Sequence, residues 1–315
     1  MSGLAAHLVR EYFSASNLLE AVWKTLYSHT AAANIILPHA EKVLKAEKQS
    51  QTVGSQLWLV CFSPRIGSIL SCTEGPLGAY PIFIFTPIPF NELVGKDLDT
   101  SLSILCHALL PVVGRQRVFS FFLLCDRSQK PSSDTRGSCI AKGFLQAQHV
   151  TLHESSRTSQ NTAVDLRRAS LKDIDRVAIL CRDFSATSYP FILSPSRAWQ
   201  EAIMLTKERN IWVLEITVEE GEPDIASIVA VTRKSKLIVA ITKGFGLMLV
   251  RHVCEELLVN NERVVLYVGK DNGAMNVYHR IGFYGLGTDQ TPPPDGIEPW
   301  LEVGFDPVHA SLGHW

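Results

Sequence analysis

The sequence predicts an α/β fold in two parts: a mixed central sheet flanked by helices in the C-terminal half, preceded by a second α/β region. Three observations carry this expectation. The apolar residues of the 315-residue chain change from helical to strand-like spacing more than once. After about residue 160 the elements read strand, two helices, three antiparallel strands, helix, strand, helix, strand, strand. The segment Arg263 to Phe283, RVVLYVGKDNGAMNVYHRIGF, runs from a buried-strand pattern through Asp271-Asn272 into a short helix that closes with Tyr278 and Gly282-Phe283.

From Leu4 to about Lys48 the pattern predicts a helical opening, with Leu18, Leu19, Val22, Trp23 and Leu26 on one stripe and Pro38 in the first turn of a later helix. Leu57 to Phe62, Ile66 to Cys72 and Tyr80 to Thr86 then read as strands, punctuated by Ser63-Pro64, Gly75-Pro76 and Gly78. A helix at Ser101 to Leu110 and a strand at Arg117 to Leu124 follow. Polar stretches at Arg127–Gly137 and Ser155–Thr162 place a linker and a domain boundary near residue 160, giving domains 1–160 and 161–315. Beyond it come a strand at Ala163 to Arg168, a helix started by Ser170, a second helix entered at Ser194-Pro195, and strands at Ile211–Val218, Ile225–Val231 and Leu237–Thr242. A helix from Phe245 to Leu258, a strand at Val264–Val268 and strands near Phe283 and Trp300–Phe305 complete the order.

With 46% hydrophobic and 19% charged residues the chain has a globular composition, and a formal net charge of −1 offers no electrostatic footprint for nucleic acid. The seven cysteines are scattered, without a CxxC or Cys/His spacing that reads as a zinc site, so no metal is expected and reduced, buried thiols are. No apolar run is long enough to span a bilayer and no signal-peptide pattern opens the chain, which predicts a soluble, cytoplasmic protein without a membrane partner. Neither GxxxxGK[ST] nor GxGxxG follows a strand, which argues against a nucleotide-binding phosphate loop.

The Asp271-Asn272, Tyr278 and Gly282-Phe283 series, together with Lys243-Gly244-Phe245-Gly246 opening an amphipathic helix, resembles the GNAT superfamily of acyl-CoA-dependent N-acyltransferases. The resemblance covers roughly residues 163 to 315. It implies acetyl-CoA or another acyl-CoA as cofactor and a small-molecule or peptide amine as acceptor. The first half reads as a degenerate second copy of the same plan, with Pro87, Pro89, Asn91 and Gly95 where the glycine-rich turn would stand.

A cofactor pyrophosphate suits a helix N-terminus, where unpaired N–H groups favour anions and glycines let the backbone approach. The resemblance assigns that contact to Lys243, Gly244, Phe245, Gly246 and Leu247; a tight strand-to-helix connection is the alternative reading of the same glycines. Asn272 or Asp271 stands at the position that contacts the pantetheine arm, and either residue also suits an N-cap. Tyr278 occupies the position of the tyrosine that protonates the departing thiolate, and its flanking Val277 and Ile281 equally suit a packing role. For the amine's proton the resemblance offers Glu215, on a central strand, and an ordinary solvent-facing strand glutamate is the alternative reading of the same residue. Phe184, Ser185, Tyr189, Pro190 and Phe191 fall where the resemblance implies an acceptor pocket, and a loop anchored by its aromatics is the alternative reading.

The sequence departs from the family in two respects. Ile241 replaces the Arg or Gln expected three residues before Gly244, and the segment before Gly244 is shortened. These departures open a second expectation, a catalytically impaired GNAT-fold protein acting as a binding or scaffold module.

Overall fold

The computed structural model describes residues 8–75, 78–79, 82–89, 92, 104–105, 107–109, 121–123, 136–146, 162–186, 192–218, 221–234, 238–244, 246–259, 263–269, 272–284, 286 and 300–304. The chain forms two compact units, Met1–Ile140 with Asp295–Trp315, and Ala141–Pro294.

In the first unit, β1 (Leu8–Tyr12) leads through a 3-10 turn (Ala15–Asn17) to α1 (Glu20–Ser28) and α2 (Ile36–Lys48). β2 (Gln56–Ser63), β3 (Arg65–Gly75), β4 (Gly78–Ala79) and β5 (Phe83–Phe85) follow. β1 pairs with β2, β2 with β3, and β3 with β4 and β5, all antiparallel. β6 (Phe121–Leu123) and the first part of β7 (Arg136–Gln146) pair antiparallel with β13 (Trp300–Gly304). The expected helical opening is therefore corrected: a strand precedes the helices. LVREY is five residues long with three of them exposed, too short and too polar to announce itself by alternation.

A carboxylate braces this opening. Glu47, near the end of α2, accepts from the Ala15 and Ser16 amides at 3.1 and 2.8 Å, the Ser14 hydroxyl at 2.9 Å and Gln56 Nε2 at 2.7 Å. Burial would raise the Glu47 carboxyl, but these donors outweigh it and hold the group below the usual carboxylate range.

The second unit runs β8 (Thr162–Arg168), a 3-10 turn (Leu171–Asp173), α3 (Ile174–Ala186), α4 (Pro195–Lys207), β9 (Ile211–Val218), β10 (Asp224–Lys234) and β11 (Ile238–Gly244). It continues through α5 (Leu247–Leu258), β12 (Arg263–Gly269) and α6 (Ala274–Ile281). The strands lie in the order β12-β11-β10-β9-β8, with β11 and β12 parallel and the rest antiparallel. Ser194 caps α4 by accepting from the Arg197 amide at 3.3 Å, and Pro195 occupies the first turn, where its missing N–H costs nothing. Gly282 ends α6 at φ +108°, a left-handed conformation glycine adopts without a Cβ penalty.

Alternation along the strands sends side chains to two cores. Ile211 and Val213 pack with Val177, Cys181, Ala202 and Leu205 of α3 and α4. Trp212, Val229 and Val231 pack with Leu249, Val253 and Leu257 of α5. Arg167 and Arg168, neighbours on β8, reinforce this division. Arg167 donates to Asp173 at 2.7 and 3.0 Å and to Glu215. Arg168 donates to Glu256 of α5 and stacks 4.4 Å over the Trp212 ring, whose Nε1 donates to the same carboxylate at 2.7 Å.

The two units repeat one plan. Each begins strand, 3-10 turn, helix, helix, then an antiparallel meander. α2 and α4 both have 13 residues, β2 and β9 both 8, β3 and β10 both 11. β3 and β10 each carry an extra residue at their third position, Gly67 and Ala226, where the register skips one residue. Two residues beyond α2 and α4, Ser50 and Arg209 take φ +53° and +54°, and the next amides, of Gln51 and Asn210, reach back to the Ala46 and Leu205 carbonyls.

Two expectations follow. Ser50→Gly removes the steric cost of a left-handed residue and raises unfolding stability by about 0.5–1 kcal/mol, read from denaturant midpoints. Burial would raise the Asp173 carboxyl, but bonds from Arg167 and Ser170 hold it down to about 2. A depressed acid contributes stability that is present above its unfolded value near 4 and lost as pH falls toward about 2. The wild-type chain therefore loses stability across that window more steeply than Asp173→Asn; equal slopes in pH-dependent denaturation would show that the pair contributes nothing.

Candidate functional site

β11 and β12 pair in parallel from Ile238↔Arg263 to Ile241↔Leu266. Both strands continue, β11 to Gly244 and β12 to Gly269, so among the described residues the ladder stops short of their C-terminal ends. β11 stays with β10 instead: Ala230 pairs with Lys243 and Val229 with Gly244, with Thr242 as an extra residue between the Lys243 and Ile241 pairs. Backbone groups on the last part of a strand that leaves one neighbour are released from that ladder, and here this happens where a helix starts.

That helix is α5. Only positions 245 and 246 separate it from β11, and its twelve residues begin at Leu247. Gly246 precedes it at φ +87°, ψ +121°, a backbone that residues with a Cβ rarely adopt. Its carbonyl accepts from the Val250 amide at 3.1 Å, the first bond of the helix. The amides of Leu247, Met248 and Leu249 precede that bond and have no carbonyl four residues back within the helix. A Cβ built on Gly246 would lie 3.9 Å from the Ser227 hydroxyl of β10, so the objection to a side chain here is conformational rather than steric. A run of free amides at the positive end of a helix, reached through glycines, fits a diphosphate. Ile241, in place of a cationic or amide side chain, adds no donor.

Lys243, Gly244, Gly246 and Leu247 are thus brought together at one strand-to-helix junction; Phe245 lies outside the described residues. Asn272, exposed before α6, accepts from the Ala274 amide through Oδ1 at 2.9 Å, and its own carbonyl accepts from Met275 at 3.0 Å. It begins the helix as an Asx cap. Asp271 lies outside the described residues.

Tyr278 sits on α6 facing the core, with 9% of its surface exposed and its ring edge-on to Phe283 at 6.0 Å. Burial, then the neighbouring Cys254, raises its hydroxyl above the ordinary phenol value, so the proton stays on. Burial likewise pushes the Cys254 thiol up, which leaves it a protonated core residue rather than a nucleophile. Glu215 is half-buried on β9 and accepts from Arg167, the guanidinium that also holds both oxygens of Asp173. It faces the side of α3 and α4, whereas Tyr278 packs in the core of α5 and α6.

On the acceptor side, Ser185 is buried, donating to the Arg182 carbonyl at 2.7 Å and accepting from the Leu193 amide at 2.9 Å. It staples the two ends of the α3–α4 connection. Phe184 is half-buried, and Tyr189, Pro190 and Phe191 lie outside the described residues. Sequence reasoning missed Ser227 and Arg167, whose importance rests on neighbours far along the chain. No described helix is long and apolar enough to cross a membrane.

No family model and no curated protein matches the chain. Solved structures do. A tandem GNAT protein from the clavulanic acid biosynthesis pathway, determined without acetyl-CoA, is 11% identical with a TM-score of 0.53, covering 95% of this chain and 98% of that one. A GCN5-related N-acetyltransferase from Sphaerobacter thermophilus is 10% identical with a TM-score of 0.52, covering 95% of each chain. A Drosophila protein is 11% identical with a TM-score of 0.60, covering 95% and 99%. Likeness across nearly the whole length at such low identity speaks for architecture, and the parallel β11–β12 pair, the junction into α5 and the repeated plan agree with it: the fold of this chain is GNAT-like, in a two-domain α/β arrangement.

Proposed function

We propose that the chain is an acyl-CoA-dependent N-acyltransferase, most simply an N-acetyltransferase, that modifies an amine on a small molecule or peptide. The observation that carries this reading is the junction at Gly246, where the amides of Leu247, Met248 and Leu249 have no carbonyl partner within the helix and, among the described residues, the β11–β12 ladder has already stopped. Its glycine at positive φ and its free donors suit the diphosphate of CoA, and they support a working cofactor site over a scaffold role despite the short approach to Gly244. When bound, the thioester supplies an activated acyl group.

The chain's own residues do the rest. Lys243, Gly244, Phe245, Gly246 and Leu247 bind and orient the diphosphate, and Asn272 lies at the start of α6 to meet the pantetheine arm. Tyr278 holds a proton on Oη through the neutral range, the state a general acid for a leaving thiolate requires. Glu215 is held by Arg167 on the α3–α4 face of β9, opposite the core that contains Tyr278, which speaks for a part in the ion-pair brace.

Tyr278→Phe is expected to lower kcat by about ten- to a hundredfold with little change in CoA affinity. Because the hydroxyl is raised, the wild-type loss of activity at alkaline pH falls above the ordinary phenol range near 10, and the Phe variant lacks that limb. Equal losses in kcat and CoA affinity would make Tyr278 a packing residue instead. Glu215→Gln is expected to act through the Arg167 brace, lowering the denaturant midpoint as Asp173→Asn does and changing kcat little. A loss of about a hundredfold in kcat for Glu215→Gln alone would make it the base instead.

A further inference from the structure

The matched registers of the two units allow their strand-to-helix junctions to be compared position by position. β3 and β10 have equal length and an extra residue at the same place, so Leu70 of β3 stands where Val229 stands in β10. Leu70 pairs with Ile84, and Val229 pairs with Gly244. Ser71 with Phe83 likewise matches Ala230 with Lys243. Counting on from these pairs, Ile84-Phe85-Thr86-Pro87-Ile88-Pro89 occupies the positions of Gly244-Phe245-Gly246-Leu247-Met248-Leu249.

The first unit's junction lacks the properties of the second. Pro87 and Pro89 have no N–H at two of the donor positions. The Ile88 amide, at a third, is spent on Thr86 Oγ1 at 3.1 Å. Ile84, in place of the first glycine, packs against the buried cluster of Leu57, Leu70 and Leu105, and the neighbouring Phe85 is buried. A backbone close to an anion needs free donors and no Cβ in the way, and this turn offers neither.

A second observation agrees. Ser68 stands fourth in β3, as Ser227 stands fourth in β10. Ser227 lies beneath Gly246, whereas the hydroxyl of Ser68 is buried and, among the described residues, has no hydrogen-bond partner. A buried hydroxyl without a partner is uncommon in folded proteins, so the two serines sit in different surroundings.

We infer that the chain takes one acyl-CoA, at Gly244–Leu247, and that the equivalent junction of the first unit, at Ile84–Pro89, has been closed to nucleotide by its prolines and its own hydrogen bonds. This rests on the cofactor reading given above. It makes the first unit a fold copy freed from cofactor binding.

The test is calorimetric titration of the full chain with CoA, beside Gly246→Val and Pro89→Ala, each checked for folding by circular dichroism. The expected results are one site per chain, a loss of about tenfold or more in affinity for Gly246→Val, and an unchanged stoichiometry and affinity for Pro89→Ala. Two sites per chain would overturn the inference while leaving the acyltransferase reading standing; one site that survives Gly246→Val at full affinity would overturn the inference and the assignment of the diphosphate to Gly244–Leu247. Absence of binding to a folded wild-type chain would overturn the inference and the acyltransferase reading together.

Discussion

The parallel pairing of β11 with β12 is the constraint on which the second unit depends. Antiparallel neighbours can be joined by a tight turn, but parallel ones require a crossover, and here α5 provides it. The crossover obliges α5 to start at the C-terminal end of β11, and the ladder has already stopped by then, at Ile241 and Leu266. Strand end, helix start and separating neighbours therefore coincide without any residue being chosen for chemistry. Gly246 and the helix-start amides behind it stand where these three features meet.

The two arginines of β8 show how the same sheet is held from both sides. Successive residues of a strand point to opposite faces. Arg167 fastens the turn before α3 to β9 through Asp173 and Glu215, and Arg168 fastens α5 to the edge of the sheet through Glu256. For Glu256, burial raises the carboxyl but the Arg168 and Trp212 donors outweigh it, leaving the group below its usual range. These part-buried pairs with several bonds each give geometry as well as energy, unlike exposed ion pairs such as Lys24 with Glu20.

Much of the second unit was legible in its sequence because its signals are local. The Val264–Val268 run, the Asn272 cap, the α6 stripe and Gly282-Phe283 each follow from period or backbone chemistry within a few residues. β1 was not legible, since LVREY gains its strand character from β2, nearly fifty residues on. The repeat of the first unit was readable as an order of elements, but the bulges at Gly67 and Ala226 and the register match are properties of pairing, which no single segment records. The assigned residues divide in the same way. The junction at Gly244–Leu247 could be found by eye, whereas the Arg167 bond to Glu215 joins residues 48 positions apart.

The extra residue at the third position of β3 and β10 bears on how such a chain tolerates change in length. A strand's side chains alternate, and the bulge sets which of them face inward for the remaining eight positions. Loss of Gly67 or Ala226 alone would turn Leu70 or Val229 toward the opposite face, inverting an entire strand in one step. Substitution at these two sites is a minor event by comparison. An in-frame deletion there would therefore be far more damaging than one in the connections, and the preservation of both bulges fits two copies that could drift in sequence but not in count.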